Sequence, residues 1–406
     1  MHQFLRSTCL GLTMFGGSVA FAQTDVPLPS RVLDTSLKAL PARPFVIEEM
    51  QVLSWDGTRD LPRTISRNEV LAVMVGPESS RSTNARWNDV VNGTGERSSR
   101  WSTEIHLTDG QILPGNIIAN DETLQWRHKR LGEFDLDLER ISAFRLVPGA
   151  KIPEANSNDV IILSNGDRLE GLVMELADPL PIEQVDGEGK ISVIEVPMER
   201  VASAALVNPS VPPQGVHVWL SDGTIFSTDD LRVGDDGYVQ FIRPGLVETR
   251  EIEMAVEYLR GILFDPARVI PFASLEAKVD AGSAEELRAW SPPPVLSEGR
   301  WPLNASRIRL EGPLRARWTL PRSGCTFATT AELPQDAMQG VFDLVVRDGG
   351  KEVLRVRMDQ DHPIERIVHR MDSRELEIEL EMADSGPVHV DLYLHEAILL
   401  LPSPGR

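Results

Sequence analysis

The chain has 406 residues, 41% hydrophobic and 25% charged, which are the proportions of a globular protein with room for several domains. Its formal net charge of −20 argues against nucleic acid, whose phosphates need Lys and Arg to displace their counterions, and against an anionic membrane surface. The acidic residues are dispersed rather than blocked, so the charge reads as solubility.

In chain order, residues 1–22 come first. Arg6 precedes a short apolar run, and Ala20, Phe21 and Ala22 form a small-residue cleavage site. That is the three-part pattern of a secretory signal peptide. The run is too short and too broken by Gly, Ser and Thr to span a bilayer, and no later segment is longer. We therefore expect an exported chain, periplasmic or extracellular, without a membrane span. Cleavage would remove Cys9 and leave Cys325 alone, so export here implies no disulfide framework.

Residues 23–103 read as a partial β repeat with a long polar loop over 77–103. Two registers fit. Either Gly57 matches the hairpin glycine of the later repeats, or "RDLPRTISRNEVLAVMV" matches their closing half. The second is preferred, because Val70 and Val73 then fall level with Ile141 and Phe144.

Three repeats follow, at 104–148, 158–208 and 215–266. Each opens with a strand, a tight turn and a strand: "IHLTDGQILPG", "IILSNGDRLEG" and "VWLSDGTIFST". Their turns, aligned on Gly110, Gly166 and Gly223, lie 56 and 57 residues apart. Asn, Asp and Gly tolerate the positive φ that such turns need. The fifth position after the turn is Gly115, Gly171 and then Thr228. Each repeat closes on an alternating strand, a short crossing and an apolar run. Ile141, Val201 and Leu259 are equivalent there, as are Leu146, Leu206 and Phe264. Alternation marks half-buried strands. About four or five strands per unit suggest a small bent barrel of the SH3 or Sm kind. Units of that size have marginal cores and are expected to pack on one another.

Residues 267–300 read as a linker with one short helix at 283–290. From 301 to 406 strand alternation resumes, in the amount expected of a β-sandwich. The fold class is thus all-β: tandem small SH3/Sm-like antiparallel modules followed by a jelly-roll sandwich.

Within this last region, Phe327, the strand-turn "GVFDLVVRDGG" at 340–350, the strand-turn "LEIELEMADSG" at 376–386, and Ala397 and Leu399 on a closing strand resemble the bacterial NPCBM family of carbohydrate-binding-module-like domains. The resemblance covers about a quarter of the chain. It implies a galactose-binding-like jelly roll and a partner that is a cell-envelope or environmental polysaccharide. The family's Gly-x-His stretch has no counterpart near Ser323, Gly324 and Cys325. Its Asp-His-Ala-Asp-Trp segment is reduced to "DLYLHEA", which keeps Asp391 and Ala397 and lacks the Trp.

Three residues are candidates for binding. Trp301 could stack on a sugar ring, and Asp391 and His395 lie in the segment aligned with the family's polar motif. No nucleophile elbow, zinc-peptidase, phosphate-loop or calcium-loop motif occurs, and His389 and His395 are too far apart to share a metal unaided. The expectation is a binding protein without catalytic residues, metal or cofactor. Its partner is a polysaccharide or, alternatively, an envelope protein that it helps to assemble; a third alternative, ranked last, is a glycan-processing enzyme.

Overall fold

The computed structural model describes residues 30–42, 45–54, 61–75, 103–119, 124–135, 137–185, 189–244, 251–279, 294–296, 307–334, 341–382 and 390–403, with the single positions 187, 303 and 305. Residues 1–22, read as a signal peptide, positions 77–102 of the stretch read as a polar loop, the stretch read as a helix, and Trp301 lie outside them.

The described elements are β-strands and short 3-10 turns, so the all-β reading holds. Modules 1, 2 and 3 share one plan. An opening hairpin is followed by further antiparallel strands, one 3-10 turn and a closing strand. The 3-10 turns are Leu138–Arg140, Met198–Arg200 and Val256–Tyr258, and the closing strands are Ile141–Arg145, Val201–Ala205 and Leu259–Leu263. In each module the first turn residue is tied to the 3-10 turn by one backbone bond: the amides of Thr108, Ser164 and Ser221 donate to the carbonyls of Arg140, Arg200 and Tyr258, all at 2.8 Å. The glycine that follows has φ +85°, +91° and +86° at Gly110, Gly166 and Gly223.

The N-terminal region is a fourth module of the same plan, and more than the partial repeat expected. Its hairpin pairs Arg31–Asp34 with Ala39–Pro41. Its 3-10 turn is Arg67–Glu69 and its closing strand Val70–Met74. Here the amide of Thr35 donates to the Glu69 carbonyl at 2.9 Å. The preferred register is therefore the observed one, with Val70 and Val73 level with Ile141 and Phe144. The glycine position is filled by Leu37, at φ +64°. A leucine costs about 1 kcal/mol in that left-handed region. The side chain is almost wholly buried in the seam described below, and that burial offsets the strain.

The fifth position after the turn shows why glycine recurs there. A Cβ on Gly115 would come within 2.8 Å of the Trp126 indole, and one on Gly171 within 2.8 Å of the Ile182 side chain. In module 3 the residue is Thr228, whose hydroxyl donates to the carbonyls of Asp230 and Ile242 at 2.9 and 2.6 Å.

The modules pair through their closing strands. Phe144 faces Ala204 between modules 1 and 2, and Val73 faces Ile262 between the N-terminal module and module 3. The two pairs meet where Ile112 of module 1 faces Ile225 of module 3. Strands Val70–Met74 and Val201–Ala205 are buried at every position, as strands covered on both faces should be.

The C-terminal region is a sandwich of two antiparallel sheets. One contains Val295–Leu296, Ile308–Gly312, Val390–Leu400, Thr326–Glu332 and Ile364–Arg370. The other contains Leu314–Thr319, Glu375–Met382, Phe342–Asp348 and Lys351–Met358. Between them lie Leu310, Phe327, Phe342, Ile378, Leu392 and Leu399. The stretch read as a linker is partly sandwich. Val269–Pro271 pairs with Val390–Leu400 in the first sheet, and Ala277–Val279 pairs with Leu314–Thr319 in the second.

Candidate functional site

Strand Val390–Leu400 carries two of the three candidate residues and divides its sheet's outer surface into two zones. Leu392 and Leu394 point into the core, so Asp391, Tyr393 and His395 point outward. At Glu396 the chain turns left-handed, at φ +51°, and the register against Thr326–Glu332 shifts. This bulge inserts a residue and inverts the alternation. Ala397 and Leu399 now face the core, while Ile398 and Leu400 face outward.

The outward residues beyond the bulge form a seam with the modules. Ile398, Leu400, Ala328, Leu303 and Val269 pack with Leu33, Leu37, Leu71, Trp219 and Leu263. At its border the Arg31 guanidinium of the N-terminal module pairs with Glu396. Burial, with a smaller contribution from the nearby Arg366 charge, lowers Arg31 to a pKa of about 10.

Before the bulge, the outward residues form a polar row. Arg309 on the neighbouring strand grips Asp391 with two bonds, Nε to Oδ1 at 3.1 Å and Nη2 to Oδ2 at 3.0 Å. It also lies 3.0 Å from Glu311. The Asp391 bond raises the Arg309 pKa above its ordinary value. The Arg307 guanidinium stacks over the Tyr393 ring, 4.5 Å from its centroid, in cation–π geometry. The Tyr393 and His395 rings are 6.1 Å apart. His395 Nε2 stands 2.8 Å from Glu332 Oε2, and the imidazole beside it holds the Glu332 carboxyl below the usual carboxylate value.

Asp391 and His395 are thus brought to one face with an aromatic ring between them. Trp301 lies outside the described residues. Sequence reading missed Arg307, Arg309, Glu332 and Tyr393. The alternation of "RIRLEG" was the available signal for the two arginines; strand register alone set their partners.

A second charged array covers the other sheet. Glu377 and Glu379, 5% and 1% exposed, sit between Arg315 and Arg317 on one side and Arg347 on the other. These groups are matched to each other, and the array is structural. His362 and His369 each sit 3.4 Å from one carboxylate, of Asp359 and Asp348. Among the described residues no group of three His, Cys, Asp or Glu is placed to hold a metal. The Cys325 thiol is buried and donates to the Arg322 carbonyl. No helix among the described residues is long and apolar enough to cross a membrane.

No family model matches the chain, and no curated protein matches it. Among solved structures it is similar to a CBM51 module and INT domains of ZmpB from Clostridium perfringens, at 15% identity over 44% of each chain and a TM-score of 0.25. It is also similar to the tandem CBM51 modules of a family 98 glycoside hydrolase from Streptococcus pneumoniae, at 9% identity over 74% of this chain and 97% of that one, with a TM-score of 0.26. An insecticidal delta-endotoxin from Bacillus thuringiensis matches at 9% identity over 74% and 51%, with a TM-score of 0.19. The chain spans less than half of the ZmpB structure. The β-sandwich assignment rests on the strand pairing itself.

Proposed function

We propose that this is an exported, non-enzymatic binding protein whose C-terminal sandwich contacts a cell-envelope or environmental polysaccharide through the polar row of strand Val390–Leu400. The observation that carries the reading is the arrangement around Tyr393. The partly buried Tyr393 ring, with the Arg307 guanidinium stacked over it, is flanked by Asp391, gripped by Arg309, and by His395, which pairs with Glu332. Fixed hydrogen-bonding groups around an aromatic surface suit a polyhydroxylated ligand, because little side-chain freedom is lost on binding.

The test is retention of the full chain on immobilised polysaccharides, with Tyr393→Ala and Asp391→Asn beside it. Retention on a glycan that both variants lose supports the reading. A folded chain retained on none of them overturns it.

A second reading, assembly of envelope proteins without glycan binding, is favoured by the tryptophans. Trp126, Trp219 and Trp318 are 0%, 2% and 2% exposed, so none among the described residues offers a ring to a sugar. Under this reading the polar row only borders a protein contact.

A further inference from the structure

Module 2 differs from its siblings on one surface. Leu172, Met174, Val185, Ile191 and Val193 are 58%, 52%, 64%, 61% and 52% exposed. Leu172 faces Glu183, Glu183 faces Val193, and Val185 faces Ile191. With side chains alternating along each strand, these residues share one face of a three-stranded sheet. The opposite face is core, formed by Val173, Leu180 and Ile182.

The corresponding face of module 1 is polar and paired with itself: Arg127 binds Glu133 at 2.6 Å and Gln125 binds Asp135 at 2.8 Å. In module 3, Gln240 binds Glu251 at 2.9 Å. Module 2 has lost these pairs and carries apolar groups instead. Among the described residues its outermost strand, Ile191–Val196, pairs on one side only, with Leu180–Val185. Unpaired backbone beside exposed Ile and Val is a template for an added strand.

Charge indicates what is added. Glu183 lies inside the apolar patch and Glu195 at its border, and neither has an ion pair among the described residues. A second copy would bring the same carboxylates to the contact, in a chain whose net charge is already −20. Like charges so placed disfavour association, whereas Lys or Arg opposite them steers and orients a partner.

We infer that the edge strand Ile191–Val196 of module 2 receives an extended segment of another protein that presents apolar and Lys or Arg side chains in turn along one face, two residues apart. The segment adds to the sheet edge, sets its apolar side chains beside Ile191 and Val193, and directs the basic groups of the same face to Glu195 and, across Val193, to Glu183. This inference is independent of the polar row on the sandwich.

The experiment titrates the full chain into three labelled seven-residue peptides, read by fluorescence polarisation: Lys/Val (Val-Ser-Lys-Ser-Val-Ser-Lys), Glu/Val (Glu in place of Lys) and Lys/Ser (Ser in place of Val). The inference expects Lys/Val to bind at least about tenfold tighter than either of the others, because both apolar and charge contacts are needed. Val193→Ser and Glu183→Lys, both at surface positions, each weaken that binding by about tenfold. Tyr393→Ala leaves it unchanged. Amide exchange over 191–196 slows when the peptide is bound. Equal binding of Lys/Val and Lys/Ser, indifference to Val193→Ser, or a chain that dimerises through this face in place of binding peptide would each overturn it.

Discussion

Phe144 and Ala204 face each other across the closing strands of modules 1 and 2, and they are the same position of two successive repeats. Val73 and Ile262 repeat the relationship between the N-terminal module and module 3. Each pair of modules is therefore related by an approximate two-fold axis through one residue pair, as in a self-complementary dimer. The seam centred on Leu37 and Ile398 then fixes the sandwich to this array.

Three turn positions separate strain from packing. Gly110 has positive φ and nothing within 4 Å of an added Cβ, so Gly110→Ala should cost about 1 kcal/mol, from backbone strain alone. Gly115→Ala drives a methyl into Trp126 and should cost about 2–3 kcal/mol. Leu37→Gly relieves strain but empties a buried site in the seam, for a net loss of about 1–4 kcal/mol. Urea unfolding of the three variants orders them; a Leu37→Gly chain as stable as the parent would mean that the seam is not closed there.

Acid should loosen the contact between modules 1 and 3. His128, 2% exposed, accepts at Nδ1 from the amides of Arg130 and Leu131, at 3.1 and 3.0 Å, and its Nε2 lies 2.8 Å from the Thr224 hydroxyl. Burial lowers its pKa to about 4; the Asp222 charge opposes this and the Arg130 charge adds to it. The unfolded ring takes its proton near pH 6.5, well before the folded ring does. The neutral ring's contribution is thus complete above about pH 6.5 and declines as pH falls toward 4, by up to about 3 kcal/mol. Thermal melts of the parent between pH 7 and 4 should show the decline, and His128→Asn should flatten it.

Glu379 is the buried centre of the charged array. Glu379→Gln leaves the Arg315 and Arg347 guanidiniums short of a counter-charge and should cost about 2–4 kcal/mol, with little relief from added salt. Glu352, exposed at the margin and paired with Arg355, should tolerate the same change, since solvent screens exposed pairs. Denaturation at low and high salt distinguishes the two sites.

Removal of residues 301–406 should yield an array that self-associates. The cut uncovers Leu33, Leu37, Leu71, Trp219 and Leu263 together, a patch of the kind soluble monomers do not leave bare. Light scattering of the truncated chain reads the outcome; a stable monomer would show that the seam contributes little.

The modules were legible where turn chemistry announced them. Thr-Asp-Gly, Ser-Asn-Gly and Ser-Asp-Gly marked three hairpins, whereas the fourth hid because Leu37 fills the glycine position. The alternation of "RTIS" and the apolar "VLAVM" still exposed its closing half. Val269–Pro271 and Ala277–Val279 are three residues each, too short for a period of two to be seen. Module pairing had one unread sign, the absence of polar residues from Val70–Met74. Asp391 and His395 were singled out, but Arg309 and Glu332 come from segments far away in sequence, and only strand register sets them beside those two. The bulge at Glu396 had no local signal; without it Ile398 and Leu400 would point into the sandwich core.

The pairing scheme also imposes an order of assembly on a chain that is made from its N-terminus. Modules 1 and 2 are neighbours in sequence and can join as soon as both exist. The N-terminal module is completed first, yet its partner strand, Leu259–Leu263, lies beyond both of them. Until then its closing strand, apolar on both faces, stays uncovered along one edge. The earliest part of the chain is thus the longest exposed to wrong partners, and the step that protects it is a long loop closure, of the kind that slows folding.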